Sequence, residues 1–169
     1  MSVKINYSNK VRDKSSANLV LFADEKLNIS GLKKYLPNSE FSYINDLLKT
    51  SDLKKNLFVF EVNSKKKIVL VSIKKDLKSF DIENLGAELY ERVNYGKNSE
   101  YLINSDSIIS KHENFIGLFL HGLKLKSYEF NKYKTKKETR LISINVLGNK
   151  NKPSALLKCF VGIFSKAYP

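Results

Sequence analysis

The chain has 169 residues, of which 42% are apolar and 11% aromatic, a composition that excludes a disordered segment and suffices for one domain with its own core. No apolar run approaches the roughly 20 residues of a membrane-spanning helix, and the polar start from Met1 to Asn9 lacks the apolar core of a secretory signal. We therefore expect a cytoplasmic protein with no membrane partner. Lys and Arg number 30 against 17 Asp and Glu, and this net charge of +13 favours polyanionic partners through counterion release.

The basic surplus consists almost wholly of lysine. Only Arg12, Arg92 and Arg140 are arginines, although arginine is the residue favoured for bidentate contacts to phosphates and bases. Lysine spread over solvated faces, in a chain also rich in Asn and Ile, fits an AT-biased genome equally well. The charge therefore leaves two interpretations open, a nucleic-acid surface and a solvated surface without a polyanionic ligand.

Two strands and one helix are predicted in the first third of the chain. Residues 3–7 alternate apolar and polar side chains, and residues 18–22 form the compact apolar run of a buried strand. Residues 24–30 are predicted as a polar connection. A helix over residues 39–49, with Ser39 as its N-cap, follows from the spacing of its apolar residues. Its predicted buried face comprises Phe41, Ile44, Leu47 and Leu48.

A hairpin and a helix are predicted in the middle third. Residues 57–62 and 67–73 are rich in β-branched and aromatic side chains, and the polar residues 63–66 between them have the length of a hairpin turn. Asp81 is predicted to cap a helix over residues 81–95. Its predicted apolar stripe comprises Ile82, Leu85, Leu89 and Val93.

The last third predicts a strand, a helix and a second strand. Residues 100–104 and 141–147 are the strands, the second closed by Gly148, and residues 110–126 are the helix. The predicted apolar stripe of this helix comprises Phe115, Leu118, Phe119 and Leu123. Pro153 opens a final helix-like segment.

The alternation of strands and helices after residue 57 predicts an α/β domain with a sheet flanked by helices. The hairpin makes the sheet mixed, and we expect five or six strands with residues 18–22, 67–73 and 141–147 at its centre. The Lys-Asn-rich stretch 148–153 is the best boundary, which divides the chain into a domain at 1–150 and a tail at 151–169. Leu156, Phe160, Ile163 and Phe164 form one helical stripe in that tail, and we expect the stripe to stay partly exposed.

Residues that could carry catalysis are scarce. His112 and His121 are nine residues apart in one predicted helix, and this spacing places them on opposite sides, so a shared metal is not expected. The single cysteine, Cys159, excludes an internal disulfide and a thiolate metal cluster. No glycine-rich phosphate loop and no serine nucleophile motif occur.

The acidic residues Asp76, Asp81 and Glu83 are close together in the sequence. Asp81 already has a capping interpretation, and Glu83 suits the first turn of the same helix. Paired carboxylates this close to a helix start are usually capping groups, so we expect no catalytic pair there.

One segment gives more specific information than the composition about which known proteins this chain resembles. It has the pattern Gly-x-x-Leu-x-Ser-Tyr-x-Phe-x-x-Tyr-Lys and comprises Gly122, Leu125, Ser127, Tyr128, Phe130, Tyr133 and Lys134. This segment resembles a segment of the leucyl aminopeptidase family, where it also lies between a helix and a strand. The resemblance covers roughly residues 16–150. Independently of the family, Gly122 lets its helix pack closely against a neighbour, and the aromatic residues anchor the crossover that follows.

The resemblance implies the N-terminal domain only. That domain has a macro-domain-like layered fold and serves assembly: it helps to build a homo-oligomer and shapes access to the active site of the catalytic domain. Family members hold two divalent metals, manganese or zinc, in a C-terminal domain around an Asn-Thr-Asp-Ala-Glu-Gly-Arg segment, which this chain lacks. We therefore expect no catalytic residue, no metal ligand, no cofactor and no peptidase activity in this chain. A truncated, frame-shifted or split gene would explain the missing part.

Two alternatives stay open at this stage. The first is a basic nucleic-acid-binding module, which would bind weakly through phosphate contacts. The second is a stand-alone nucleotide-ligand domain, suggested by the macro-like fold. The small number of glycines argues against the second alternative, because a diphosphate is usually approached by glycine-rich backbone.

Overall fold

A six-stranded mixed sheet forms the centre of the molecule. The computed structural model describes residues 2–8, 18–51, 55–93, 100–112, 114–128 and 141–148. The strands are β1 (Ser2–Ser8), β2 (Asn18–Asp24), β3 (Leu57–Asn63), β4 (Lys66–Ile73), β5 (Glu100–Asn104) and β6 (Leu141–Leu147). Their order is β1-β6-β5-β2-β4-β3, and every neighbouring pair is parallel except β3–β4, which is antiparallel. The predicted mixed sheet is confirmed, and the three strands predicted at its centre are internal.

Helices cover both faces of this sheet. The α-helices are α1 (Asn38–Lys49), α2 (Ser79–Val93) and α3 (Phe115–Lys126), and two 3₁₀ segments span Ser30–Tyr35 and Ser105–Ser107. The helices α2 and α3 pack on one face, whereas α1 and the first 3₁₀ segment pack on the other. The result is a three-layer α/β/α domain. None of the helices in the described ranges is long and apolar enough to cross a membrane.

The larger core lies between the sheet and the pair α2–α3. Phe22 of β2 contacts the rings of Phe115 and Phe119 edge-on, with ring centroids 5.5 and 5.3 Å apart. These edge-to-face contacts are the favoured aromatic geometry in a core. All four residues of the stripe predicted for α2 are buried, as are three of the four predicted for α3, with Leu118 half-buried.

Two glycines bring the backbones of α2 and α3 into contact. A Cβ atom added at Gly86 would lie 1.9 Å from the carbonyl oxygen of Phe119, and one added at Gly122 would lie 1.9 Å from that of Glu83. No side chain fits at either position, so the close packing predicted for Gly122 is confirmed, and Gly86 is its counterpart on the neighbouring helix.

Helix starts differ from the sequence prediction. The N-cap of α1 is Pro37 without a side-chain cap, so Ser39 is an exposed residue inside the helix rather than its cap. The helix α2 begins at Ser79, and Asp81 accepts a hydrogen bond from the backbone of Lys78 from within the first turn. Asp81 therefore caps the helix, but it does so as the third residue of α2 rather than from the position before the first residue.

Residues 110–112, where the sequence predicts the start of α3, are not helical. The helix begins at Phe115 rather than at residue 110, because Ser110 accepts a hydrogen bond from the backbone N–H of His112 and holds a local turn. Ile108 is also fully buried in this segment. His112 consequently lies outside the helix that contains His121, which corrects the prediction that both share one helix.

The connection after β2 is also more structured than predicted. Leu27 and Ile29 are buried against the α1 layer, and the 3₁₀ segment Ser30–Tyr35 follows them. Leu27 has a positive φ of 54°, a strained conformation that the burial of its side chain offsets. At the other end of the chain Gly148 closes β6 with a φ of 99°, whereas the predicted tail from residue 151 and the end of the predicted α2 helix at residues 94–95 lie outside the described residues.

Candidate functional site

The sheet topology itself marks a place for a ligand. After β2 the chain passes to the face covered by α1, and after β5 it passes to the face covered by α3, although β2 and β5 are parallel neighbours. Adjacent parallel strands whose connections leave on opposite faces open a crevice at their carboxyl ends, where open α/β sheets bind ligands. We refer to the space between the ends of β2 and β5 as the switch-point crevice.

The switch-point crevice has a volume of about 280 Å³. Polar or small residues in its lining include Asp24, Asn28, Gly31, Lys34, Asp106 and Ser107. The volume is at the lower limit of drug-sized ligand pockets, so only a small molecule or part of a larger one would fit. Asp24 is the last residue of β2 and Asp106 lies two residues after β5, so the rule that ligands bind at the carboxyl ends of strands could have located both from the sequence.

Hydrogen bonds hold the two loops of this crevice in place. Ser107 Oγ accepts from the backbone N–H of Phe22 at 3.1 Å and donates to the carbonyl of Asn104 at 2.7 Å. On the other side, Asp24 Oδ1 accepts from the backbone N–H of Asn28 at 2.8 Å. The loop after β5 is thereby tied to β2, and the crevice is preorganised rather than formed by loose loops.

The charges of the crevice do not suit a diphosphate. Two carboxylates, Asp24 and Asp106, oppose an anion, and Lys34 is the one cation in the lining among the described residues. Gly148 packs against the Asp106 carboxylate, where an added Cβ would lie 2.6 Å from Cγ. In the described part of the chain the crevice therefore resembles neither a glycine-rich phosphate cradle nor a basic anion site.

A second cavity, of about 510 Å³, lies beyond the carboxyl end of β4. Its lining includes Asp76 and Asp81, for which no catalytic pair is expected from the sequence, together with Glu88, Lys74 and Lys75. Asp81 is engaged by the backbone of Lys78, and mixed charges line the remainder. No group of three or more His, Cys, Asp or Glu residues that could hold a metal occurs within the described ranges.

The two histidines have separate partners. His121 Nδ1 lies 2.8 Å from Glu83 Oε1 on α2, and His112 Nε2 lies 3.5 Å from the hydroxyl of Ser79 at the start of that helix. Glu83 is thus part of the α2–α3 contact. The two partners, Ser79 and Glu83, are four residues apart on α2.

The described residues of the family-like segment lie in the second half of α3 and just after it. Ser127 is buried, and its hydroxyl donates to the carbonyl of Lys124 at 2.7 Å, which caps the helix end. Leu125 and Tyr128 expose 46% and 56% of their surface. Phe130, Tyr133 and Lys134 lie outside the described residues. The described members of the segment therefore have structural roles in packing and capping, or face outwards.

Two lysines of α3 fasten the helix to its neighbours. Lys124 Nζ donates to the carbonyl of Val3 on β1 at 2.8 Å, and partial burial lowers the pKa of this lysine below its ordinary value. Lys126 forms a 2.7 Å ion pair with Glu91, and the hydrogen bond and charge of this lysine lower the pKa of that carboxyl group. Part of the basic charge is therefore structural.

Two solved structures are similar to this architecture in their fold. No protein-family model matches the chain, and no curated protein matches it. A solved mutant of tomato leucine aminopeptidase superposes with a TM-score of 0.65 and 14% identity, over 97% of this chain and 36% of that one. The macrodomain of Thermus aquaticus DarG superposes with a TM-score of 0.55 and 10% identity, over 88% of this chain and 100% of that one.

The chain has a macrodomain-like fold. At these identities the two likenesses show the fold alone, and the chain spans about a third of the length of the tomato protein. The predicted macro-like layered architecture is confirmed. The activity and partners of those proteins do not transfer to this chain by superposition.

Proposed function

We propose that this chain is the non-catalytic N-terminal domain of a leucyl aminopeptidase-like protein and that its role is assembly. The observation that carries the proposal is the extent of the likeness, because 97% of this chain superposes on 36% of tomato leucine aminopeptidase. The segment beginning at Gly122 adds a sequence feature at the position where the family has one. The proposal thus rests on a fold likeness and one motif together.

The α2–α3 layer offers a surface for assembly. Seven large hydrophobic residues are exposed in the described part of the chain, and four of them belong to this layer or its flanks. These four, which we call the α2–α3 surface, are Phe80, Ile109, Leu125 and Tyr128, between 46% and 57% exposed. Phe80 lies at the start of α2, whereas Leu125 and Tyr128 lie at the end of α3, so the exposed apolar groups are spread along this layer. Such groups favour a protein partner, either a second copy of the chain or the catalytic domain.

Mass measurement by light scattering with size-exclusion chromatography tests this role. We expect the full chain to form an oligomer that Phe80→Glu and Leu125→Glu each shift toward the monomer, because a charge would have to be buried in the interface. Ser39→Glu introduces the same charge at an exposed position of α1 on the opposite face and should leave the mass unchanged. A monomeric wild-type chain, or equal masses for all variants, would contradict the proposal.

The proposal includes the absence of peptidase activity in this chain. Manganese or zinc would bind a catalytic domain outside it, and this chain would contribute no ligand. We expect the purified chain to release no leucine from a leucyl amide when either metal is added. Turnover that co-purifies with the chain and disappears with a chelator would refute this part.

Nucleic-acid binding is the second candidate, and the net charge of +13 is the observation in its favour. The charge is dominated by lysine, which supplies phosphate contacts but little base readout. Such binding would be sequence-independent and would not require the switch-point crevice. It is compatible with an assembly role on a different surface.

A further inference from the structure

The outer side of β3 is an open edge of the sheet. In the strand order β3 lies beyond β4, and no strand among the described residues pairs with its other side. An edge strand presents backbone N–H and C=O groups to which a further strand can be added. Proline, which would block such pairing, is absent from β3, and the irregularity in its pairing with β4 falls at its end, between Glu61 and Asn63. Residues 57–61 therefore form a regular strand edge.

The hydrogen bonds to β4 determine which residues of β3 face this edge. The backbone N–H of Ser72 donates to the carbonyl of Asn56 at 2.8 Å, so these two residues form a hydrogen-bonded pair. Because such pairs alternate along an antiparallel ladder, every second residue from Asn56 onwards bonds to β4. The residues between them, Leu57, Val59 and Glu61, direct their backbone groups to the open edge.

The side chains of Leu57, Val59 and Glu61 lie on the face of the sheet that carries α2 and α3. Leu57 is buried in the core under these helices, and side chains two residues apart in a strand share a face. Val59 exposes 40% of its surface, and Glu61 is exposed beside it in a 2.6 Å ion pair with Lys67 of β4. An apolar side chain thus remains uncovered at the open edge, next to a carboxylate.

We propose that the open edge of β3 binds the β3 edge of a second copy of this chain, which joins the two sheets into one. A two-fold axis makes the two strands antiparallel, and every contact then occurs twice. The register that sets apolar side chains opposite each other pairs Leu57 with Val59 of the second copy. It also sets Glu61 opposite Lys55, an exposed lysine two residues before β3. The edge is therefore complementary to itself in both its apolar and its charged groups.

Neighbouring registers match less well. Only alternate residues direct their N–H and C=O groups outwards, so the second strand can slide only in steps that preserve this alternation. One step in the first direction pairs Val59 with itself but sets Leu57 opposite the carboxylate of Glu61. One step in the other direction pairs Leu57 with itself but sets Val59 opposite Lys55. Each step places an apolar side chain against a charge, and the proposed register avoids both mismatches.

The hydroxyl of Tyr43 on α1 has to leave the edge when the second strand binds. It donates to the carbonyl of Glu61 at 3.3 Å, which is longer than a usual O–H···O bond. A backbone N–H of the second copy would replace this weak bond. The net charge of +13 also makes two copies repel each other, so association is best measured at about 150 mM salt, where charges are screened over about 8 Å.

Val59→Pro tests the backbone pairing on the full chain. Proline removes an N–H that points away from β4, and such edge positions tolerate proline. Sedimentation velocity should show a concentration-dependent dimer for the wild-type chain, and a monomer with an unchanged circular dichroism spectrum for Val59→Pro. Val59→Thr keeps the N–H and the strand propensity and should still dimerise. A wild-type chain that stays monomeric, or a folded Val59→Pro chain that dimerises equally well, would overturn the inference.

Charge reversal tests the register. Lys55→Glu and Glu61→Lys each set like charges opposite each other and should weaken dimerisation at least about threefold, whereas the double variant should restore it. Lys4→Glu makes the same change at an exposed position of β1, the other edge of the sheet, and should not weaken the dimer. Two weakened single variants without recovery in the double variant would contradict the assigned register.

A zero-length cross-link separates this contact from assembly through the α2–α3 surface, on which the inference does not depend. A carbodiimide joins a lysine to a carboxylate in direct contact, and Lys55 and Glu61 of one chain are roughly 16 Å or more apart along an extended strand. Mass spectrometry should find an amide between these two residues in the dimer, and equally in Phe80→Glu. A dimer that lacks this cross-link and that Phe80→Glu dissociates would retain the α2–α3 surface and refute the β3 contact.

Discussion

Gly86 and Gly122 determine how closely the two helices on the larger core approach. Each glycine faces a backbone carbonyl of the other helix, so the contact is between main chains rather than side chains. A methyl group at either position would overlap a carbonyl oxygen that cannot rotate away. The helices would have to separate, and the core beneath them would lose its packing.

We therefore predict that Gly86→Ala and Gly122→Ala destabilise the fold by about 1–3 kcal/mol or more, the cost of overpacking a core. Thermal melts followed by circular dichroism should show a fall of several degrees in Tm for each. Gly31→Ala is the matched control, because an added Cβ there has no atom within 4 Å. An unchanged Tm for Gly122→Ala would show that the helices separate at little cost.

Single residues also show where sequence reasoning is limited. The role of Gly122 in helix packing could be predicted because glycine inside a helix usually has a packing reason. The ion pair of Glu40 with Lys66 could not, since 26 residues separate the two and neither has a local signal of burial. Lys66 looks like one more lysine in a basic turn until the fold places it beside α1.

At the level of elements, strands were easier to predict than helix ends. All six strands were predicted within two residues of their observed bounds. Their short runs of apolar residues, bounded by polar turns, are typical of strands. Helix starts were less reliable. Ser39 was predicted as a cap and residue 110 as a helix start, but a serine hydroxyl forms equally good local turns outside helices, as Ser110 does.

The tail provides the prediction at this level. Among the described residues, the last contribution to either core along the chain is the strand β6. We predict that deletion of residues 154–169 leaves a cooperative melt and reduces self-association, because an apolar stripe would be removed from the surface. Size-exclusion chromatography and thermal melts of both forms decide this. Loss of the cooperative transition would show instead that the tail completes the core.

The whole molecule combines a macrodomain-like fold with a strongly basic composition. The charge of +13 acts at long range and through many lysines, so it affects association with polyanions rather than the fold. Lys66, Lys67, Lys124 and Lys126 are engaged within the domain by carboxylates or a carbonyl.

We predict that any DNA binding is weak, equal for unrelated sequences and strongly dependent on salt. Fluorescence anisotropy with two duplexes of different sequence should give the same affinity, falling at least about tenfold between about 50 and 200 mM salt as counterion release requires. A duplex of one sequence that remains bound at high salt would instead indicate base readout.

The sequence by itself determined the α/β class, the six strands and the apolar stripes of α2 and α3. These properties depend on local periodicity and on residue types, which a linear chain displays directly. Only the tertiary structure decided the strand order, the switch-point crevice and the ion pair of Glu40 with Lys66. Those features arise from crossovers that bring distant segments together. The local sequence around a residue gives no signal of which distant residues it will contact.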